Sequence, residues 1–267
     1  MQDTMTPGTA RPALRIGCAG WGIPKSYADR FPDASGGSTH LARYARQLNA
    51  VEINSTFYRP HRRETYEKWA GSVPDDFRFS VKVPREITHV RRLRDAGEPL
   101  ERFLMEVGAL GPKLGPLLVQ LPPSLAFDGA AAATFFSLLR ERFAGSVVCE
   151  PRHPRWFQAA EAETLLVDFR VGRVAADPAL PVPEAAYPGG WGGITYYRLH
   201  GAPHTYYSAY ADDYLASLAR RLATSLKATA AAASNPGCWC IFDNTALGAA
   251  NANALDLAGL MESYPTT

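Results

Sequence analysis

The stretch FRFSVK at residues 77–82 alternates apolar and polar side chains and ends in a lysine. Because successive side chains of a strand point to opposite faces, Arg78, Ser80 and Lys82 share one face and the apolar residues share the other. An unpaired charge is costly in a buried environment, so a buried strand that ends this way is expected to open onto a polar site. The stretch therefore predicts a strand with an apolar outer face and a functional inner end.

Other short apolar runs follow the same design, because each of them ends in charged or amide side chains. They are AVEIN at 50–54, LLVQ at 117–120, VVCE at 147–150, YYRLH at 196–200 and CWCIFDN at 238–244. Alternation places Glu52 and Asn54 on the inner face of AVEIN. It places Tyr196, Arg198 and His200 on the inner face of YYRLH. If the strands are parallel, their polar ends meet at one edge of the sheet.

Strand and helix patterns alternate along the chain from residue 14 onward. Strands are predicted at 14–20, 50–54, 77–83, 117–121, 147–150, 172–176, 194–199 and 238–242. Helices are predicted at 40–49, 64–70, 100–110, 130–143, 161–170, 212–233 and 249–261. This alternation favours a closed barrel over an open doubly wound sheet. The predicted fold is an α/β, single (β/α)8 TIM-type barrel with its site at the C-terminal ends of the strands.

Length and composition fit one globular domain. The chain has 267 residues, 46% of them hydrophobic and 20% charged. Residues 1–13 are predicted to be a flexible tail, and residues 14–263 a single barrel domain. A net charge of +2 excludes a strongly basic nucleic-acid-binding surface but permits a local one. Because no signal-type or membrane-spanning apolar stretch occurs, a cytoplasmic location without membrane attachment is predicted.

The predicted barrel mouth collects the ionisable and amide residues of the strand ends. Those expected at or near the rim are Asn54, Lys82, Gln120, Glu150, His200 and Asp243. Glu52, Arg78 and Arg198 are expected one step below the rim, where an internal ion-pair network is the alternative role. Glu150 near Lys82 is either a plain salt bridge or a general acid or base with a shifted pKa.

The loop EPRHPRW at 150–156 adds candidates for ligand binding. Arg152 offers bidentate recognition of an anion, and His153 can change its charge near neutral pH. Trp156 offers a stacking face. The alternative is a structured loop held by its two prolines.

Aromatic residues after two other strands are also expected at the mouth. The stretch HGAPHTYYSAY at 200–210 contains Tyr207, which is expected to line a pocket for a sugar or a planar group. Trp21, in the turn GCAGWG, is expected to cap the same mouth. Ordinary packing is the alternative for both.

The sequence does not favour a metal or another cofactor. Carboxylates and histidines at the mouth are suitable donors, so a divalent metal stays open as an alternative. Lys82, Arg152 and Arg198 counter most of that negative charge, however, and no HExxH motif occurs. No cofactor is therefore predicted.

Taken in order, the motifs of this chain resemble those of the DUF72 (YecE-like) family across residues 14 to about 257. The motifs are GCAGW, VEINSTFYRP, FRFSVKVPREITH, LGPLLVQLPPS, EPRHPRW, YRLHG…YYSAY and FDNTALGAANANA. The matching positions are Trp21, Glu52, Asn54, Phe57, Tyr58, Lys82, His89, Gln120, Pro123, Glu150, Arg152, His153, Trp156, Arg198, His200, Gly201, Asp243 and Asn244. The resemblance implies a TIM barrel and no particular activity. Ala19 departs from the serine of many relatives, so a hydroxyl role in the first turn is not expected.

The functional prediction is an enzyme of hydrolase or lyase type that acts on a small anionic or sugar-like molecule. The residues predicted to carry the chemistry are Glu150, His200, Asp243 and Lys82. The residues predicted to bind substrate are Trp21, Glu52, Asn54, Tyr58, Gln120, Arg152, His153, Trp156, Arg198, Tyr207 and Asn244. Carboxylates and histidine would transfer protons, while lysine and arginine would hold an anionic group.

Two other functions are alternatives. The basic run HVRRLR at 89–94 and the pair Arg62–Arg63 suggest a nucleic-acid phosphodiesterase or DNA-binding protein. That alternative also draws on a fold-level similarity to endonuclease IV-type and xylose isomerase-like barrels. A non-catalytic ligand-binding barrel is the other alternative. No oligomeric state is predicted.

Overall fold

Parallel strands surround a common axis in the computed structural model, which describes residues 13–33, 36–232 and 237–264. In chain order the strands are β1 Ala13–Ala19, β2 Ala50–Ile53, β3 Arg78–Lys82, β4 Leu114–Gln120, β5 Val147–Glu150, β6 Val171–Arg173, β7 Ala175–Asp177, β8 Gly189–Gly190, β9 Ile194–Leu199 and β10 Gly237–Phe242. Their order in the sheet is β7-β9-β10-β1-β2-β3-β4-β5-β6-β8. The predicted tail lies outside the described residues except for Ala13, where β1 begins.

The segment that contains β6 and β7 closes the barrel. Strand β6 pairs in parallel with β5, and β7 pairs in parallel with β9. Val174 separates the two strands, so together they occupy the predicted sixth strand position. Strand β8 adds a short antiparallel pair to β6 from the predicted long loop at 178–193. The predicted TIM-type α/β barrel fold is confirmed.

Helices follow most of the strands. They are α1 His40–Tyr44, α2 Arg63–Gly71, α3 Gly97–Val107, α4 Gly129–Arg142, α5 Arg155–Gln158, α6 Ala160–Asp168, α7 Asp212–Ala232 and α8 Ala249–Glu262. Thr39 and Asp128 cap α1 and α4, because their side-chain oxygens accept hydrogen bonds from backbone N–H groups of the first turn. Helix α1 ends earlier than predicted, and Ala233 at the predicted end of α7 lies outside the described residues.

Two apolar layers show which way the strand side chains point. One lies between the strands and the helices and includes Val51, Val81 and Leu199. The other fills the barrel interior and includes Tyr196 and Trp239, whose rings stack with centroids 6.0 Å apart. The predicted outward and inward faces of β2, β3 and β9 are therefore correct.

The predicted position of Arg78, one step below the barrel rim, is wrong. It pairs in register with Ala50 at the start of β2, whereas Glu52 pairs with Ser80. Its guanidinium donates to the carbonyl of Asp75 at 2.7 Å. Arg78 therefore lies at the amino end of the barrel, because alternation assigns a face but not a height.

Strands β1 and β2 approach each other closely beside Tyr44. The hydroxyl of Tyr44 donates to the carbonyl of Ala50 at 2.9 Å and accepts from the N–H of Cys18 at 2.7 Å. A Cβ atom on Gly17 would overlap the same Ala50 carbonyl. Glycine is thus required here by the backbone spacing.

The described residues contain no helix that is long and apolar enough to cross a membrane. The four cysteines at 18, 149, 238 and 240 are buried free thiols.

Candidate active site

A buried arginine joins carboxylates from three strand ends. Nη2 of Arg198, on β9, lies 2.8 Å from Glu52 Oε1 on β2 and 3.0 Å from Asp243 Oδ2 after β10. Its Nη1 lies 3.1 Å from Glu150 Oε2 at the end of β5. All four residues are buried. Four of the strand ends predicted to converge, those of β2, β5, β9 and β10, therefore meet in one connected network.

His200 links two of these carboxylates. Its Nδ1 lies 2.9 Å from Asp243 Oδ2, and its Nε2 lies 2.9 Å from Glu150 Oε1. Arg152 Nη2 lies 2.7 Å from the same Nε2 and 2.5 Å from Glu150 Oε1. Nε2 thus faces an arginine donor and a carboxylate acceptor at once, so its donor or acceptor role depends on the tautomer of the ring.

The arginines keep the carboxylates ionised. Burial alone would raise the pKa of Glu150, but the charges of Arg152 and Arg198, together with His200, hold it well below its usual range. Burial opposes ionisation of Asp243 in the same way, and Arg198 and His200 lower its pKa. The pKa of Arg198 is raised well above its ordinary value because the three carboxylates outweigh its burial. The network is a fixed electrostatic frame at neutral pH.

Lys82 at the end of β3 is a buried cation of a different kind. The residue is 6% exposed, and its Nζ lies 4.0 Å from the centroid of the Phe57 ring. Among the described residues, no carboxylate lies within ion-pair distance of Nζ, and none accepts a hydrogen bond from it. Burial first, and the charge of Arg198 second, lower its pKa to about 8, against the opposing pull of the carboxylates.

Residues below the mouth hold Glu52 in place. The hydroxyl of Tyr196 donates to Glu52 Oε2 at 2.9 Å and lies 2.9 Å from Ser80 Oγ. The Ser80 hydroxyl in turn donates to the carbonyl of Pro116 at 3.1 Å. These hydrogen bonds fix the position of the Glu52 carboxylate on the inward face of β2.

Trp156 has structural contacts instead of a ligand-binding face, and two other predicted binding residues, His153 and Asn244, also contact their own chain. Trp156 is 2% exposed, packs edge-on against Phe127 and donates from Nε1 to the carbonyl of Leu125 at 3.0 Å. His153 Nδ1 accepts from the N–H of Arg155 at 3.1 Å. Asn244 Nδ2 donates to Ser208 O at 2.9 Å and Asn253 Oδ1 at 3.0 Å. The stacking role predicted for Trp156 is wrong, because α5 turns its indole into the core.

The remaining predicted binding residues lie around the rim. Asn54 follows β2, and its buried Oδ1 has no hydrogen-bond partner among the described residues. Gln120 is half-buried at the end of β4, in register with Glu150. Tyr58 and Tyr207 are 76% and 56% exposed.

Trp21 does not contact the charged network. Its ring packs edge-on against Trp69, with centroids 4.9 Å apart. Both tryptophans line a cleft of about 790 Å³ that also includes His40, Arg62 and Lys68. The predicted capping of the mouth by Trp21 is not seen, because its ring packs against Trp69 in this cleft.

Phe57, His89 and Tyr206 lie at the site, although none of them is among the residues predicted to carry the chemistry or to bind substrate. The rings of Phe57 and His89 meet edge-on at 4.8 Å, and Phe57 covers Lys82. Burial and the charges of Lys82 and Arg85 lower the pKa of His89 to about 4. Tyr206 donates its N–H to the carbonyl of His200 and packs edge-on against its ring. Their positions within the family motifs were the available signal.

Metal donors are not grouped for coordination in the described part of the chain, where no three His, Cys, Asp or Glu residues are placed to hold an ion. The carboxylates that could do so face Arg198 and Arg152 instead.

The basic run at 89–94 contacts its own chain. Arg91 pairs with Glu86 at 2.9 Å, and Arg94 pairs with Asp128 at 2.6 Å. Arg92 donates to the backbone carbonyl of Ser124 at 2.7 Å. These arginines tie loops together at the edge of the barrel.

The fold and the network together define a class of protein: a TIM-type barrel with a buried charged network at the carboxyl ends of its strands. The family model described as "Protein of unknown function DUF72" matches residues 15–267. The chain belongs to the DUF72 family, as its motifs predicted.

Curated relatives match part of the chain. The UPF0759 protein YecE of Escherichia coli (strain K12) is 35% identical over 131 residues, which are 49% of this chain and 47% of that protein. The UPF0759 protein YunF of Bacillus subtilis (strain 168) is 28% identical over 152 residues, 54% of this chain and 52% of that protein. The chain therefore spans about half the length of the curated relatives it matches.

Solved structures match nearly the whole chain. A DUF72 family protein from Thermotoga maritima MSB8 has a TM-score of 0.75 and 23% identity, with 94% of this chain and 99% of that chain covered. One from Enterococcus faecalis V583 has a TM-score of 0.75 and 22% identity, with coverage of 95% and 97%. At these identities the likeness shows the fold alone.

Proposed function

We propose that this chain is an enzyme that acts on a small anionic or polyhydroxylated compound at the carboxyl-end mouth of the barrel. The chemistry would be proton transfer of lyase or hydrolase type. The observation that carries the proposal is Lys82, a buried ammonium at a strand end that has no hydrogen-bond acceptor among the described residues. Buried lysines are normally paired, so an unpaired one at a barrel mouth is a functional candidate.

Lys82 is the group best suited to transfer a proton. A pKa of about 8 lies near neutral pH, where a side chain can both give up and take back a proton. Glu150 and Asp243 have lowered pKa values and stay ionised, so they would act as fixed negative charges beside Lys82. In this proposal Glu150 and Asp243 act as fixed charges, whereas the sequence predicts that they transfer protons.

Arg152 is the proposed anion-binding group. Its side chain is 14% exposed, and its buried Nε has no hydrogen-bond partner in the part of the chain that the structure describes. Arg198, by contrast, is enclosed by Glu52, Glu150 and Asp243 and has no free face for a substrate. A carboxylate or phosphate that binds Arg152 would satisfy Nε and draw the guanidinium away from His200.

His200 would then lose its contact with Arg152 and keep its contacts with Asp243 and Glu150. Asp243 holds its Nδ1, which is the arrangement that orients a histidine for proton transfer from Nε2. Arg152 and Glu150 both contact that Nε2. Binding of an anionic group to Arg152 would thus leave Nε2 facing Glu150 alone, with His200 placed to exchange a proton with the substrate. Asn54 and Gln120 would bind hydroxyl groups beside it.

The test is a turnover screen by proton NMR with sugar phosphates, sugar acids and hydroxy acids as the compounds supplied. For a compound that the wild type consumes, we expect Lys82→Met to lower kcat by about 10²–10⁴-fold, the usual contribution of a general acid or base. Arg152→Gln should mainly raise KM. Lys227→Met, on the exposed face of α7, is the matched control and should not change either constant.

Three outcomes would decide between the functions. Equal turnover by the wild type and Lys82→Met would remove Lys82 from the chemistry. Tight binding of a panel compound without consumption would favour the non-catalytic barrel. Absence of both binding and consumption across the panel would contradict the proposed substrate class.

A further inference from the structure

Resting on the proposed function, we infer that Lys82 is a nucleophile that forms an imine with a small aldehyde or ketone carrying a carboxylate or phosphate group. Its amine lies at the carboxyl end of β3, under the ring of Phe57 and beside a rim of unpaired polar groups. The substrate class is thus a carbonyl compound with an anionic group, and the covalent step takes place at the site already described.

The contrast with another lysine shows why Lys82 is not a structural cation. Nζ of Lys113 donates to the carbonyls of Ala70 at 2.8 Å and Val73 at 2.7 Å. It also lies 3.4 Å from a carboxylate oxygen of Asp75. Lys113 therefore has the set of acceptors that a structural ammonium needs, whereas Lys82 has none among the described residues.

The neighbouring arginines explain why Lys82 is unpaired. Three carboxylates lie close enough to affect it electrostatically, but they are bonded to Arg198, and Glu150 also to Arg152. The carboxylates of the network thus pair with arginines, and the described residues leave the lysine amine without a counter-ion. Desolvation without a counter-ion favours the neutral amine, which is the nucleophilic form.

Unpaired groups of the rim fit the rest of such a substrate. Arg152 follows β5 and offers Nε to an anionic group. Asn54 follows β2 and offers a buried Oδ1 that has no partner within the described residues. Strand β3 lies between β2 and β4 in the sheet, and β4 lies next to β5. A carbonyl carbon at Lys82 would therefore have a hydroxyl acceptor on one side and an anion donor on the other.

The step balances without an oxidant or a reductant. The lone pair of neutral Nζ attacks the carbonyl carbon, a C–N bond forms, and the carbonyl oxygen becomes the hydroxyl of a carbinolamine. That oxygen leaves as water together with the two hydrogens that nitrogen gives up, and a C=N bond remains. Protonation of the imine nitrogen then makes the C=N group an electron sink. This favours loss of a proton, or cleavage of a bond, at the carbon atom next to the imine carbon.

The test is reductive trapping of the full chain with sodium cyanoborohydride, with pyruvate as one probe and dihydroxyacetone phosphate as the other. Cyanoborohydride supplies the hydride that converts the imine to a stable secondary amine, and peptide mapping by mass spectrometry locates it. We expect Lys82 to be modified with a preference of roughly 10²-fold over the other lysines near pH 7, because it holds far more neutral amine. The two probes distinguish a carboxylate from a phosphate.

Lys113 serves as the internal control, and trapping on Lys82 should become faster as the pH rises through 8. Lys82→Arg, which keeps the charge and cannot form the adduct, should lose the modification while its melting temperature shows that it folds. Absence of an adduct on Lys82 with both probes, or equal labelling of all lysines, would overturn the inference. If pyruvate still binds the wild type but not Arg152→Gln, the proposed anion-binding site stands although the imine does not.

Discussion

At the residue scale, Lys82 and Arg198 show two ways of burying a cation. Arg198 has carboxylate partners for its guanidinium and a pKa raised well above its ordinary value. Within the described ranges of the chain, Lys82 has only an aromatic ring against its ammonium, and its pKa is lowered to about 8. Partners that match the donors of arginine leave its charge permanent, whereas burial without partners makes the charge of lysine conditional.

Lys82 is therefore expected to make stability depend on pH in the alkaline range. Its pKa is about 8 in the folded protein and 10.5 in its ordinary state, so between these values the unfolded chain holds more protons. The free energy of unfolding should rise from pH 8 to 10.5 and level off above, by about 3 kcal/mol. Urea unfolding of the wild type and of Lys82→Met, at a series of pH values across this range, measures this change in the free energy of unfolding.

The comparison removes the contributions of other groups, because both proteins share them. Lys82→Met should be the more stable protein at pH 7, and the difference should shrink as the pH rises. Parallel stability curves for the two proteins would show that the lysine amine is not desolvated as the structure indicates.

At the element scale, strands β1 and β2 depend on a glycine for their spacing. Gly17 faces the backbone of Ala50, and the hydroxyl of Tyr44 bridges the two strands beside it. The loop after β2 carries Asn54 and Phe57, so the spacing also sets the part of the rim that covers Lys82.

We expect Gly17→Ala to lower the free energy of unfolding by about 1–3 kcal/mol, because the new methyl group would force the two strands apart. Gly71→Ala is the matched control, since a methyl group there meets no atom within 4 Å. Denaturant unfolding of both variants gives the comparison. A similar small effect for both would mean that the barrel absorbs the methyl group without a shift.

At the scale of the whole molecule, the network behaves as one unit that joins both halves of the chain. Arg198 and Glu52 are 146 residues apart in sequence and bonded in space. The carboxylates on β2, on β5 and after β10 are tied through this one guanidinium. Removing one of them leaves charges that are buried and no longer balanced.

Glu150→Gln should therefore lower the free energy of unfolding by about 3–5 kcal/mol at pH 7, the usual cost of breaking a buried ion pair. The pKa of Glu150 is lowered, so its contribution is present above its ordinary pKa of 4.5 and is lost as the pH falls below that value. The wild type should accordingly lose more stability than the variant on acidification. Urea midpoints at a series of pH values check both statements.

Glu67→Gln is the control, because Glu67 pairs with Arg63 on the exposed face of α2 and should contribute less than about 1 kcal/mol. If Glu150→Gln and Glu67→Gln had equal effects, the buried network would not act as a unit. Loss of stability in Glu150→Gln also means that its activity must be compared at a temperature where it is folded.

Local patterns in the sequence predicted the barrel, the strand faces and the polar ends of the strands. Period-two alternation is a property of neighbouring residues, so Glu52, Lys82 and Arg198 could be placed on inward faces without coordinates. The ends of the strands could be assigned to one rim because parallel strands align their carboxyl ends.

Only the tertiary structure decided which of these groups are paired and which are free. The partners of Arg198 come from strands that are distant in sequence. The residues next to Lys82 in the sequence do not show that the carboxylates pair with arginines and not with the lysine. The predictions for Trp156 and Arg78 were wrong for the same reason. The burial of Trp156 depends on how α5 packs, and the position of Arg78 along the barrel axis depends on strand register. Both are set by residues far away in the chain.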